Sequence, residues 1–297
     1  MGIFSFNEKY NLLSPLPNFL TVNKNSQAST LDLWEVNIND KIPEFNPPTI
    51  TASSAFVYDL TSKKVTYSKN PKKRLPFASL TKIMTSIIAL ENKKDDDKYV
   101  VKKADLVGED SMGLKEGERL SREELLYGLL LHSGNDAAEV IAGNFLHGRE
   151  AFIKAMNDKA KALGIKDTNF TNPTGLEGDG SQYSTAYDLL IMTRYALSSF
   201  LLFSEIVQTP EYKIEKTFTH AEYILENETN LLTTYPGVKG VKTGYTNEAG
   251  LCLVTYLDYK GHKIIAILLN SENRRDEMKQ LLDYSLKMQA IVPPPHG

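Results

Sequence analysis

The chain has 297 residues, of which 41% are hydrophobic and 24% charged, a composition that suits one large globular domain or two small ones and excludes a disordered chain. Its formal net charge of -3 and its short, scattered basic clusters, such as Lys72, Lys73 and Arg74, offer no phosphate-neutralising surface, so nucleic acid is not an expected partner. No apolar stretch reaches the roughly 18 residues of a membrane span, and the start MGIFSFNEKYNLL lacks a basic region followed by a signal-like apolar core, so no membrane anchor is expected in this sequence.

Residues 1–50 are rich in Asn, Pro and Ser with little periodicity and read as an N-terminal arm or linker, ending in the Pro-rich stretch 43–48 and carrying no catalytic residue. Residues 54–60 and 64–69 are β-prone and joined by Thr61, Ser62 and Lys63, which predicts a hairpin. In 79–90, SLTKIMTSIIAL, the spacing of Leu80, Ile83, Met84, Ile87 and Ile88 gives one wide apolar face and predicts a buried helix. The acidic run 95–97 reads as a solvated loop. Ser121 followed three residues later by Glu124 is a capping-box pattern, opening a helix that ends near His132 and Ser133; a second helix follows over 135–145.

Residues 150–163 predict a helix closed by Gly164, 170–184 a loop by their Gly, Pro and Asn content, and 186–202 another helix. Runs 251–257 and 263–269 flank Lys260, Gly261 and His262 as a second hairpin, before a terminal helix over 274–288. Cys252, the one cysteine, lies inside the first of these runs and reads as a buried, inert thiol. The order predicts an α+β fold: an antiparallel sheet with packed helices plus an all-helical subdomain at about 90–210, in a domain spanning 51–291 with a tail over 292–297.

Three short elements carry chemistry: Ser79-Leu-Thr-Lys82, Ser133-Gly-Asn135 and Lys242-Thr243-Gly244. Singly the first two say little, because a chain of this composition contains about two Ser-x-x-Lys matches by chance; Lys-Thr-Gly is far rarer, and it stands immediately before a predicted strand. The weight lies in their combination. A serine hydroxyl needs a base within hydrogen-bond reach, and three residues along a helix is about one turn, so Lys82 lies on the same face as Ser79. Lysine accepts a proton only if its pKa falls, which burial and a second cation such as Lys242 would both achieve. Ser133 could relay a proton to the leaving amine, and the Asn135 amide could orient a peptide through both donor and acceptor. Lys242 and Thr243 would hold a substrate carboxylate, Gly244 permits close backbone approach, and the amides of Ser79 and Tyr245 could form an oxyanion hole. Against this stand plainer readings: Ser79 as a helix N-cap, Asn135 as a polar residue at a helix junction, and KTGYTN as a turn.

With these elements in order, the sequence resembles the serine-type D-Ala-D-Ala carboxypeptidases, the low-molecular-mass penicillin-binding proteins of peptidase family S11. The likeness extends to ASLTKIMT, SMGLKEGERLSREELLYGLLLHSGNDAAEVIA, FTNPTGLEGDGSQYSTAYDLL and PGVKGVKTGYT. It implies a β-lactamase/transpeptidase-like fold, an acyl-enzyme on Ser79 with Lys82 as general base, and Ser133 with Asn135 as the second catalytic element. It also implies that Lys242 binds substrate and that Arg274, with Arg275 as a competitor, neutralises the terminal carboxylate. Peptidoglycan stem peptides are the implied substrates and β-lactam antibiotics the implied covalent inhibitors, which places the protein outside the cytoplasm, in the periplasm or at the cell surface.

Two rivals stand beside that reading. A class A-like β-lactamase adds a loop Glu-x-x-x-Asn, whereas Glu177 here is followed four residues later by Ser181. A non-catalytic peptidoglycan-binding module would have no need of Ser79 with Lys82. The five histidines are dispersed, at His132, His147, His220, His262 and His296, with no His-Glu-x-x-His, so no metal and no cofactor are expected.

Overall fold

The computed structural model describes residues 34–38 and 46–296. A five-stranded antiparallel sheet is built from β1 (Ser54–Asp59), β2 (Lys64–Lys69), β7 (Val238–Thr246), β8 (Gly250–Tyr259) and β9 (His262–Ser271), in the order β2-β1-β9-β8-β7. Between β2 and β7 the chain runs through a 3-10 turn (Ala78–Thr81), α1 (Lys82–Glu91), β3 (Tyr99–Val100), β4 (Arg119–Leu120), α2 (Arg122–Leu130), α3 (Asn135–Gly143), α4 (Gly148–Ala162), α5 (Ala186–Ser199), α6 (Leu201–Val207), β5 (Glu211–Ile214), β6 (Tyr223–Glu226) and α7 (Leu231–Thr234). The last helix, α8 (Arg274–Met288), returns across the sheet.

Strand β9 shows why the sheet is central. Residues 264–269 are all completely buried, yet they alternate between two cores. Ile265, Ile267 and Leu269 join the core on the helical side, while Ile264, Ala266 and Leu268 pack with Met278, Leu281 and Leu282 of α8. A strand covered on both faces reads as a continuous apolar run, so its period of two is hidden in the sequence and appears only in the packing. Helix α8 is opened by Asn273, whose side chain accepts from the Asp276 amide, and α2 by the predicted Ser121–Glu124 capping box.

Several expectations are corrected. The insertion is not all-helical, since β3 and β4 pair within it. The helix predicted over 186–202 is two helices bent by 110°: Phe200 is extended (φ -131°, ψ 106°), and the bend lets Phe203, Ile206 and Val207 of α6 bury fully. Lys-Thr-Gly lies inside β7 rather than before a strand.

Part of the predicted arm is docked. Val36 is buried and its amide donates to Tyr187 Oη (3.2 Å), while the Arg194 guanidinium covers the Trp34 ring at 4.4 Å. Residues 1–33 and 39–45 of that arm lie outside the described residues. The tail is also tied down: His296 stacks on Tyr235 (4.6 Å between centroids) and bonds Asp283 (3.0 Å). No single helix among the described residues is long and apolar enough to cross a membrane.

Two substitutions test this architecture by chemical denaturation. Ile267→Ala, in the middle of β9, is expected to cost about 2–5 kcal/mol by transfer and cavity terms together, whereas Ile224→Ala, at a side chain 60% exposed on β6, should be close to neutral. Equal losses at the two positions would contradict the two-sided burial of the sheet.

Candidate active site

The 3-10 turn that carries Ser79 has a local peculiarity at its start. Ala78 adopts φ 49°, a left-handed conformation costly for a residue with a Cβ, and such strain persists only where surrounding packing enforces it. The enforcement is visible at two glycines. A Cβ on Gly175 (φ +93°) would stand 2.0 Å from the Ala78 carbonyl oxygen, and one on Gly244 would stand 3.2 Å from the Ser79 amide nitrogen. The 170–184 loop and β7 therefore press the turn that carries Ser79 from two sides; the approach at Gly175 requires glycine, and the one at Gly244 is tight enough that a side chain there would push the turn.

Residues i and i+3 eclipse in a 3-10 turn, so Lys82, the first residue of α1, comes directly into line with Ser79. Lys82 Nζ lies 2.8 Å from Ser79 Oγ, 2.6 Å from Asn135 Oδ1 and 2.8 Å from the Thr174 carbonyl oxygen. Two of these partners can only accept. A neutral amine has two N–H groups and one lone pair; with both N–H groups given to Asn135 and Thr174, the lone pair is left for the Ser79 hydroxyl. Lys82 is fully buried, and burial, followed by the charge of Lys242, holds its pKa well below the ordinary lysine value, against weaker opposing influences from Asp110, Glu228 and Asp136.

The second element sits at the α2–α3 junction. Ser133 is buried with φ 58°, and Asn135 is fixed at both ends: its amide nitrogen donates to the Asp110 carbonyl (2.7 Å) and its Nδ2 to the Glu109 carbonyl (2.7 Å). That pairing leaves Oδ1 for the lysine. The neighbouring Asp136 carboxylate accepts from Ser111 Oγ (2.6 Å) and from the amides of Met112, Gly113 and Leu114 (3.0 Å each), which locks the 109–114 segment against α3.

From β7 come Lys242, buried with its pKa lowered chiefly by desolvation, and Thr243, also buried. Lys242 Nζ has no hydrogen-bond partner among the described residues; the nearest anion is Glu228, at 3.6 Å. Thr243 Oγ1 donates to the same carboxylate (3.0 Å). Tyr245 is 56% exposed at the end of the cluster, where a cleft of about 700 Å³ opens between Glu109, Asp110, Glu177 and Thr246. Arg274 reaches in from α8, donating to the Gly244 carbonyl (2.8 Å), while Arg275 is exposed; of the two competitors it is Arg274 that lies against β7.

The sequence-predicted residues Ser79, Lys82, Asn135, Lys242, Thr243, Gly244 and Arg274 are thus drawn into one cluster, with Ser133 beside it and Tyr245 at its rim. Thr174, Asp110, Asp136 and Glu228 were not singled out from sequence. Thr174 acts through its backbone, which no motif reveals, and Asp136 adjoins Asn135 but binds a loop more than 20 residues away. Cys252 takes no part: burial pushes its thiol up to about 11.

Residues 42–273 match the model of the D-alanyl-D-alanine carboxypeptidase family, peptidase S11. The chain is 35% identical over 251 residues to the D-alanyl-D-alanine carboxypeptidase DacF of Bacillus subtilis, covering 82% of this chain and 64% of that protein. It is 38% identical over 214 residues to a D-alanyl-D-alanine endopeptidase of Pseudomonas aeruginosa, covering 69% and 66% respectively. The chain therefore spans about two thirds of the length of these curated relatives. Among solved structures, the Streptomyces K15 DD-transpeptidase superposes with a TM-score of 0.75 at 29% identity, over 82% of this chain and all of that one. Penicillin-binding protein D2 of Listeria monocytogenes, in its ampicillin-bound form, gives 0.71 at 30% identity, over 80% and 98%. With a serine, a buried lysine and a Lys-Thr-Gly strand converging as described, and with this breadth of similarity, the chain belongs to the D-alanyl-D-alanine carboxypeptidase family of serine peptidases.

Proposed function

We propose that this protein is a serine D-Ala-D-Ala carboxypeptidase that removes the terminal D-alanine from peptidoglycan stem pentapeptides through an acyl-enzyme on Ser79. The observation that carries the reading is the Lys82 amine, held by two obligate acceptors with its remaining site on Ser79 Oγ at 2.8 Å. In acylation, Ser79 Oγ bonds to the carbonyl carbon of the penultimate D-alanine as its proton passes to Lys82, and the tetrahedral oxyanion takes the amide hydrogens of Ser79 and Tyr245. Collapse breaks the C–N bond; the leaving amine takes a proton, with Ser133 as relay, and D-alanine departs. Water then adds to the ester carbonyl and releases Ser79. Lys242, Thr243 and Arg274 receive the terminal carboxylate, while the Asn135 side chain, with Oδ1 on Lys82 and Nδ2 on the Glu109 carbonyl, holds the base in place.

β-Lactams are the corresponding covalent inhibitors, in keeping with the ampicillin-bound form of the Listeria relative. Such a substrate places the site of action outside the cytoplasm, in the periplasm or at the cell surface. The β-lactamase alternative is disfavoured by Glu177: its Oε1 accepts from the Glu248 amide (2.9 Å) at the β7–β8 turn, and the third partner of Lys82 is a carbonyl rather than a carboxylate. A purely binding module would not need a buried lysine aligned on a serine hydroxyl.

Intact-mass measurement after incubation with benzylpenicillin is expected to show one long-lived penicilloyl adduct, absent in Ser79→Ala, and the wild type should release D-alanine from diacetyl-Lys-D-Ala-D-Ala. An unaltered mass on folded protein, or rapid hydrolysis of nitrocefin, would reject the reading. The pH dependence has a defined sign: Lys82 works unprotonated, so acylation falls as the solution is acidified through its lowered pKa and is retained above it. Lys82→Met should lose about 10²–10⁴ in acylation rate and abolish that acid limb.

A further inference from the structure

The carboxylate-binding strand already has a carboxylate beside it. Glu228 lies in the turn between β6 and α7, and its backbone is fixed on both sides: its amide donates to the Leu131 carbonyl (3.2 Å), and its carbonyl accepts from Asn230 (3.0 Å). The preceding Asn227 is held in turn, with its Nδ2 on the carbonyls of Val207 (3.1 Å) and Thr209 (3.0 Å) and its Oδ1 accepting from Thr229 (2.9 Å). A side chain mounted on so constrained a turn is placed rather than free. Its Oε2 takes the Thr243 hydroxyl proton at 3.0 Å and stands 3.6 Å from Lys242 Nζ, while the side chain as a whole is 40% exposed.

We propose that Glu228 is a positioning residue that serves as the resident counter-ion of Lys242 and Thr243 in the free enzyme, a place the substrate carboxylate takes over on binding. This rests on the carboxypeptidase reading above. The chemistry follows from counting donors and charges. Thr243 has one hydroxyl proton, which it gives to Glu228 or to an arriving carboxylate, so the two acceptors are alternatives. Lys242 is almost fully buried and its Nζ has no hydrogen-bond partner among the described residues, so its charge depends on a nearby anion. Glu228 is that anion: it opposes the desolvation of Lys242, and although burial pushes its own carboxyl up, Lys242 and the Thr243 hydrogen bond bring it below the ordinary range.

The other charged groups acting on this carboxylate and its lysine are Lys82 from α1, His132 beyond the end of α2, Asp110 from the 109–114 segment and Arg274 from α8. Catalysis needs Lys82 unprotonated and Lys242 protonated, so kcat/KM should follow a bell whose acid limb belongs to Lys82 and whose alkaline limb belongs to Lys242. Glu228 favours the protonated form of both lysines. Removing its charge moves both limbs toward lower pH.

The test is the pH profile of D-alanine release from diacetyl-Lys-D-Ala-D-Ala by wild type, Glu228→Gln and Glu228→Asp. Because kcat/KM reports the free enzyme and kcat the substrate complex, Glu228→Gln should shift the alkaline limb of kcat/KM downward by about one pH unit and that of kcat by less, since the substrate carboxylate then neighbours Lys242. Glu228→Asp, which keeps the charge, should recover most of the shift. Should Glu228→Gln fail to fold, Glu228→Ala at this exposed position carries the same expectation. Profiles of Glu228→Gln that superimpose on wild type, or a uniform loss of activity without movement of either limb, overturn the proposal while leaving the carboxypeptidase reading intact. Absence of both D-alanine release and a penicilloyl adduct in the wild type would instead overturn the reading on which it rests.

Discussion

The active-site cluster depends on keeping an amine uncharged inside the protein. An isolated ammonium in a low-dielectric interior is costly by several kcal/mol, and a lysine so placed answers by releasing its proton. Lys82 is fully buried, but it is not left unsatisfied: one backbone carbonyl and one side-chain amide oxygen take its two hydrogens. The same contacts that make burial tolerable fix the direction of the lone pair, so the means by which the fold accommodates Lys82 and the means by which it orients a base are the same two hydrogen bonds.

Those contacts come from parts of the chain far apart, and the fold spends conformational strain to bring them together. Asn135 is separated from Lys82 by 53 positions and Thr174 by 92. Ala78 and Ser133 both adopt positive φ, each at the entry to one of the two elements, and Gly175 admits a backbone approach that a methyl group would block. Part of the chain's backbone strain thus sits beside Lys82, where a cost of about 1–3 kcal/mol at each such position is offset by the surrounding sheet and helices.

Much of this was legible in the sequence where the signal is local. The Ser121–Glu124 capping box, the Gly164 helix terminus and the extent of α8 are set by neighbours within one turn, and they appear where expected. The pairing of Ser79 with Lys82 is likewise a matter of three residues. What escaped depends on contacts distant in sequence. Strands β5 and β6, of four residues each, carry too few positions to display a period. Phe200 has no helix-breaking chemistry of its own and departs from the helix because Phe203, Ile206 and Val207 find a core by turning. Residues 34–38 look like linker by composition, yet Trp34 and Val36 find partners in Arg194 and Tyr187, more than 150 positions away.

The charges around the base also link binding to chemistry. Lys242, the proposed carboxylate receptor, is through its own charge the second cause of the depressed proton affinity of Lys82. In the free protein Glu228 already offsets part of that push, so a substrate carboxylate taking its place beside Lys242 would preserve the proton affinity of Lys82 at the moment Ser79 must give up its proton. Arg274, hydrogen-bonded to the Gly244 carbonyl of the same strand, adds to the attraction for the incoming anion. A ligand that carried the scissile amide but lacked the terminal charge would leave Glu228 in that place and would lose the anchoring. On the proposed reading, discrimination in favour of a free C-terminus would therefore rest on the charges that Lys242 and Arg274 hold against β7.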